Sequence, residues 1–459
     1  MSGVTAPART APARPAGPAP APATVVVAPT PAAVKRPGPF RRLAALRRTT
    51  PGRLRLRLIA LVTVALLTGL VAGITAASAG SGTDDLGERA QPLLVEAETV
   101  WTALADADTT ATQAFLAGGL EPADLTRRYE ADLDRAAQAV ASASRLSPET
   151  SEAGQAVREL SIGLPQYTAL IASARANNRQ GLPLGASYLS SASELNRVTL
   201  QPQAEALLHA AQVEVDGSYS SARSSLWSAL LSVLLIVLLA MLLITQVQLS
   251  ARTRRTFNVP LLAATVVTAL LGLTTLTVLT IQRDHLHNAD EGGSQPVALL
   301  AQARILVLNE RSYEALTLVG RAGDDDNETQ FKDTVQKLAG VLDETERSVQ
   351  GTRAEESLES AQEYHQQYLA AHKEVRALDD QADYAGAVKL AIGTETTRTF
   401  QRLSDSLSKA LEDRKDVFTH ESSVAGRGLG LLTVLGPALA LAVAALSVAG
   451  LRARLEEYR

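Results

Sequence analysis

Two uncharged runs near the middle of the chain, Leu226–Val247 and Val259–Ile281, constrain its fold more than anything else in it. Each is about 22 residues long, enough at ~1.5 Å per residue to cross a ~30 Å hydrocarbon layer. Only the polar segment Gln248–Asn258 separates them, and it carries Arg252, Arg254 and Arg255 with no acid. This predicts a helical hairpin whose arginine turn lies in the cytoplasm. No catalytic domain fits in such a turn. Arg252, Arg254 and Arg255 are therefore candidate contacts to a cytosolic partner or to lipid head groups.

Two more apolar runs, 58–79 and 428–450, bring the expected spans to four. Ala77-Ser78-Ala79 resembles a signal-peptidase site, but the run before it is long, which favours an uncleaved anchor. The spans divide the chain into an arm (1–57), a first long segment (80–225), the turn (248–258), a second long segment (282–427) and a tail (451–459). Seventeen of the 44 Lys/Arg fall in the arm, turn and tail, with only two acids. The two long segments hold the other 27 bases against 46 acids. The positive-inside rule places both termini and the turn in the cytoplasm of a multi-pass plasma-membrane protein, and both long segments outside. Met1–Pro39 is rich in Ala and Pro and is expected to be disordered. The basic stretch Lys35–Arg57 reads as a topology determinant lying on anionic lipid or as a docking arm, and the span that follows argues against nucleic-acid binding.

The two halves repeat. Gln91-Pro92 recurs as Gln295-Pro296, 204 residues on. A 3-4 alternation then runs Leu94, Ala97, Trp101, Leu104, Asp108, Ala111, Phe115. At the same offset stand Ala298, Ala301, Ile305, Leu308, Ser312, Ala315, Val319. A 3.5-residue spacing is the seam of a coiled coil or helical bundle. Aromatics make up only 4 % of the chain and cysteines are absent, so a packed Ala/Leu/Val bundle is favoured and a disulfide framework excluded. The fold expected is an all-α membrane protein with four transmembrane helices and two extracytoplasmic four-helix bundles, the product of internal duplication. Further helix starts are expected at Ser147-Pro148 and at a Thr352/Glu355 capping box, and a fourth helix over Gly185–Ser225 and Tyr384–Gly426. The first and last helix of each bundle should run on into a span. If the chain contains its own pseudo-dimer, the first and third spans should meet.

No P-loop, kinase signature set or HExxH motif is present, so neither enzyme activity, cofactor nor metal site is expected. His285 and His287 would diverge on a helix. His365 and His372, seven apart, can share a face and suit a solvated or interhelical role. The Asp324–Glu328 acids read as a helix-joining turn. Two positions stay open between structure and function. Asp108 and Ser312, polar in an apolar seam, either set the register, mark loose packing or line a small ligand pocket. In the Ala174–Gly185 segment, Arg175, Asn177, Asn178 and Arg179 either end a helix in an Asn/Gly reversal or form a tip that docks a partner or holds a carboxylate.

The layout resembles the four-helix periplasmic modules of chemoreceptors and sensor kinases, here in tandem and without their cytoplasmic signalling domain. The ARANNRQGLPLGASYL stretch, Ala174–Leu189, and the Ala/Pro- and Arg-rich composition are similar to the four-span membrane protein of the actinobacterial protein kinase G system. That resemblance implies a glutamine-type solute-binding lipoprotein outside and a serine/threonine kinase inside. The expected function is a transmembrane signal relay that reports amino-acid availability to the kinase. The alternatives are a non-switching scaffold of an envelope complex, or a chemoreceptor-like sensor that binds a small ligand directly. A homo-oligomer stays open. Transport is disfavoured, because the spans hold no acid or base.

Overall fold

The computed structural model describes residues 50–119, 121–223, 225–253, 258–320, 325–427 and 429–456. The arm up to residue 49, with its expected disorder, lies outside them, as do Arg254, Arg255 and Asp324. The side chain of Arg252 is also outside the description. Among the described residues there are only helices. They run α1 (Thr50–Asp85), α2 (Gln91–Leu116), α3 (Ala123–Leu146), α4 (Glu152–Arg179), α5 (Leu184–Leu195), α6 (Gln201–Arg223), α7 (Ser225–Thr253), α8 (Val259–Ala289), α9 (Gln295–Gly320), α10 (Asp325–Val349), α11 (Arg353–Asp380), α12 (Tyr384–Ala391), α13 (Thr394–Ala425) and α14 (Leu429–Glu456). Two compact units divide the chain at Leu56/Arg57, and the packing described below is that of the second.

Four helical stretches are long and apolar enough to cross a membrane: Gly52–Leu116, Leu184–Ser250, Val259–Gly320 and Thr394–Arg452. The first is 65 residues, about 98 Å of helix at 1.5 Å per residue. Three short π-helical turns, Leu86–Ala90, Asn196–Leu200 and Asp290–Ser294, join α1 to α2, α5 to α6 and α8 to α9 without a break. Each precedes a Gln-Pro pair. Proline has no N–H, and its ring collides with the carbonyl four residues back. Widening the preceding turn relieves the collision, and the glutamine N–H bonds five residues back, Gln91 to Leu86 O and Gln295 to Asp290 O. The repeat thus extends to irregularities: two of the π turns are 204 residues apart.

The first bundle is made of α2, α3, α4 and the α5–α6 rod; the second of α9, α10, α11 and α12–α13. The seam expected from the repeat is the core. Leu94, Ala97, Leu104 and Ala111 are buried, as are Ala301, Ile305, Leu308 and Ala315. The bundles pack on each other through α2 and α9, where Thr109 Oγ1 donates to Leu308 O at 2.9 Å.

Several expected boundaries shift. Ser147 ends α3, and Ser151 caps α4 by accepting from the Gly154 N–H at 3.0 Å. Glu355 reaches the Gly351 N–H (2.7 Å) and the Thr352 hydroxyl turns back to Val349 O, so the capping box does not form. The helix expected over Tyr384–Gly426 breaks at Ile392-Gly393 into α12 and α13. A turn at Gly426-Arg427 then separates α13 from α14, so that rod is not continuous into its span.

The four apolar helices share a core that includes Leu61 and Ala65 of α1, Leu242 of α7, Leu261 and Ala264 of α8, and Val443 of α14. Small residues allow the close approaches. A Cβ added at Gly69 would fall 2.7 Å from Ala440 Cβ, and one at Gly82 would fall 2.5 Å from the Ala222 nitrogen. Where the apolar helices enter the bundles, Gln282 of α8 donates to Thr83 Oγ1 of α1 (3.2 Å) and lies 3.4 Å from Ala222 O of α6. The first and third apolar helices therefore do meet, at this bond and in the shared core.

Candidate functional site

Three places concentrate polar groups that an Ala/Leu bundle would not otherwise bury. The first is the crossing of α2 and α9. Asp108 is 2 % exposed, and its carboxylate accepts from three hydroxyls: Ser193 (2.8 Å), Tyr167 (3.4 Å) and Ser312 (2.8 Å). Ser312 occupies the Asp108 position in the second repeat, so one bond joins the equivalent residues of the two halves. A buried carboxylate costs free energy unless donors surround it, and here they do. Asp108 and Ser312 are brought together, with protein hydroxyls around the carboxylate.

The second is the interior of the second bundle. Its polar core, which sequence reasoning missed, holds Glu310, Arg311 and Glu314 of α9 with His365, Tyr368 and His372 of α11. Glu314 accepts from Tyr368 (3.1 Å) and meets His372 Nδ1 at 3.0 Å, and it pairs with Arg311. Arg311 also donates to Ala391 O at 2.8 Å, which ties α12 to α9. Glu310 pairs with His365 at 2.9 Å. Burial alone would raise the Glu314 carboxyl, but Arg311, His372 and Tyr368 hold it below the usual carboxylate value. Burial works against the His372 cation, yet Glu314 and Glu328 lift its pKa above the ordinary histidine value. The signal available in sequence was the seven-residue spacing of His365 and His372. What it lacked was the Glu310/Glu314 pair one turn apart on another helix.

The third is a cleft of about 280 Å³ between the bundles, lined by α2, α3, α9 and α13. Arg304 of α9 donates to Asp106 at 2.7 Å, and Arg135 donates to Asp132 at 2.6 Å. Burial, and the nearby Asp106 carboxylate, push Asp132 up to about 7 against the pull of Arg135, Arg304 and Arg128. Arg128 and Asp405 line the cleft from opposite bundles, α3 and α13, both exposed. The cleft offers hydroxyls and amides as well, Thr109, Gln113 and Ser404 among them. Such a lining can hold a small polar molecule with both signs of charge. At the position where the repeat places Tyr313 instead of Thr109, the ring fills the interface, with the Arg197 guanidinium 5.0 Å from its centre.

The remaining candidates lie together at the far end of the first bundle. Arg175 lies 3.1 Å from Glu121 and 4.1 Å over the Tyr129 ring, so its charge is already matched within the fold. Asn178 donates to Phe115 O (3.1 Å) at the end of α2, and Asn177 donates to Ser173 O (2.8 Å). Gly181, at φ +67°, supplies the left-handed residue that reverses the chain. Arg179 alone of the four is exposed. Among the described residues no cluster of His, Asp and Glu has metal-binding geometry.

Comparison with curated proteins and with solved structures returns no match. A family model does match, the actinobacterial sensor domain, over residues 82–220. Those residues run from the end of α1 to within three residues of the end of α6, and so cover nearly all of the first bundle, including Asp108 and one wall of the cleft. The match supports reading this chain as an actinobacterial sensor protein.

Proposed function

We propose that the chain is a transmembrane signal relay without a catalytic domain of its own. Its bundles report extracytoplasmic amino-acid availability, through a solute-binding protein, to a cytosolic serine/threonine kinase. The observation that carries this reading is mechanical. In α1–α2 and α8–α9 one unbroken rod runs from an apolar span into a bundle, so a shift in the bundle is transmitted along the helix axis. The sensor-domain match over the first bundle supports the input side. The arginine-rich turn and arm, with acids gathered in the bundles, support cytoplasmic termini. A relay needs two bundle states with different affinity for a partner.

The chain has no cysteine, so paired cysteines can be placed without background. Gln91 of α2 bonds Thr419 of α13 at 3.0 Å on the surface between the bundles. Gln91→Cys with Thr419→Cys, oxidised in membranes, should fix the bundles and change kinase-substrate phosphorylation severalfold. The reduced protein should respond normally to added amino acid. Equal phosphorylation in both states, with crosslinking complete, would sink the relay.

A second reading, direct binding of a small ligand, is favoured by the inter-bundle cleft. Thr109→Tyr, which copies the filled side of the repeat, should abolish direct binding of an amino acid such as glutamate to the purified chain. It should leave capture of a solute-binding protein intact.

A further inference from the structure

The duplication creates two equivalent junctions between apolar helices, α7 with α8 and α14 with α1, and the two have diverged. At the α14–α1 junction Gly69 and Gly73 of α1 lie against Pro437 and Ala440, with no room for a Cβ at Gly69. At the α7–α8 junction the helices part and leave a groove of about 750 Å³. Hydrogen bonds between the two helices bound it at either end. Gln246 donates to Leu261 O (2.8 Å) and Thr265 Oγ1 (2.6 Å) near the hairpin, and Arg283 donates to Ser228 Oγ (3.1 Å) at the end facing the bundles. Leu235, Leu239, Leu276 and Leu279 line it between, and nothing lies within 4 Å of a Cβ added at Gly272. From Ser228 to Leu239 the groove is about 17 Å long at 1.5 Å per residue, the depth of one leaflet of a ~30 Å hydrocarbon layer.

Arg283 decides what fills it. The residue lines the bundle-facing end of the groove, two residues beyond the apolar run that ends at Ile281, where a spanning helix would leave the hydrocarbon layer. Among the described residues no carboxylate pairs with it. A guanidinium at the membrane boundary favours a bidentate phosphate partner. The repeat places Ala79 at the equivalent position of the closed junction, so the open groove and the arginine occur together. We propose that this groove is a binding site for one anionic glycerophospholipid, its phosphate on Arg283 and Ser228 and an acyl chain along α7 and α8. The site lies apart from the cleft between the bundles and does not depend on what the bundles detect.

The test uses the full chain purified in mild detergent, with bound lipid read by native mass spectrometry and by extraction. The wild-type chain should retain about one anionic phospholipid. Added phosphatidylglycerol should raise its melting temperature and added phosphatidylcholine should not. Arg283→Ala should weaken phosphatidylglycerol binding at least tenfold, and Arg283→Lys should weaken it less. Gly272→Leu, which projects into the open groove, should displace the lipid while circular dichroism confirms the helices are kept. Retention of no lipid by the wild type, equal stabilisation by both lipids, or unchanged binding in both Arg283→Ala and Gly272→Leu would overturn the proposal. A second copy of the chain as the occupant would also overturn it, and would show as a dimer that Gly272→Leu dissociates.

Discussion

At the scale of single residues, the bundles are specified by polar groups that would be costly anywhere else in them. Asp108 gathers hydroxyls from α4, α5 and α9 around one carboxylate. Asp108→Ala would leave three buried hydroxyls without their acceptor, and the expected loss is about 2–4 kcal/mol in a thermal or denaturant unfolding measurement. Asp108→Asn, which keeps an acceptor, should lose less. Asp132 offers a pH experiment. Its folded pKa, about 7, lies above the ordinary carboxyl value, so the folded chain holds this proton more tightly than the unfolded one. The stabilisation is complete below pH ~4, is lost as pH rises towards 7, and is flat above that. Asp132→Asn should flatten that part of the profile and stabilise the chain at pH 8, on the order of 2–4 kcal/mol. His372, raised by Glu314 and Glu328, titrates in the same direction, so the difference between wild type and variant isolates Asp132.

At the scale of elements, the Gln-Pro pairs show how far the sequence could be read and where reading stopped. The apolar runs and the 3-4 seam foretold all-α architecture and four long apolar helices, and marked Asp108 and Ser312 as equivalent polar positions without foretelling that they bond to each other. They foretold rods running from span to bundle, but not the π turns that absorb each proline. A proline inside a helix can end it or kink it, and only the three-dimensional path shows that a π turn absorbs the collision instead. The buried ionic core of the second bundle was illegible for a related reason. Charges at Glu310, Arg311 and Glu314 look like a solvated face until α11 brings His365, Tyr368 and His372 against them. Arg175 shows the converse: an arginine beside asparagines left a helix end and a ligand site both open, and Glu121 with Tyr129, some fifty residues earlier, already matches its charge. One contact here makes a sharp prediction. Gly82→Leu would drive a side chain into the Ala222 backbone, and an unfolding titration should show about 1–3 kcal/mol of destabilisation.

At the scale of the whole molecule, two halves descended from one unit are joined through α7 and α8, with only residues 254–258 between them. Their equivalent helices α2 and α9 meet at Asp108 and Ser312, and their equivalent junctions have drifted apart in both bundle and span. Receptors assembled from separate subunits lose their partners when the cell makes few of them. A covalent joint holds its halves at an effective concentration in the millimolar range whatever the copy number. Producing residues 1–253 and 254–459 as separate chains should restore that dependence. Co-purification of the pieces should rise with expression level, whereas the intact chain should behave the same at high and low abundance. The short connection between α7 and α8 therefore does its work by arithmetic: the number of joined pairs scales with the number of chains in the membrane, not with its square.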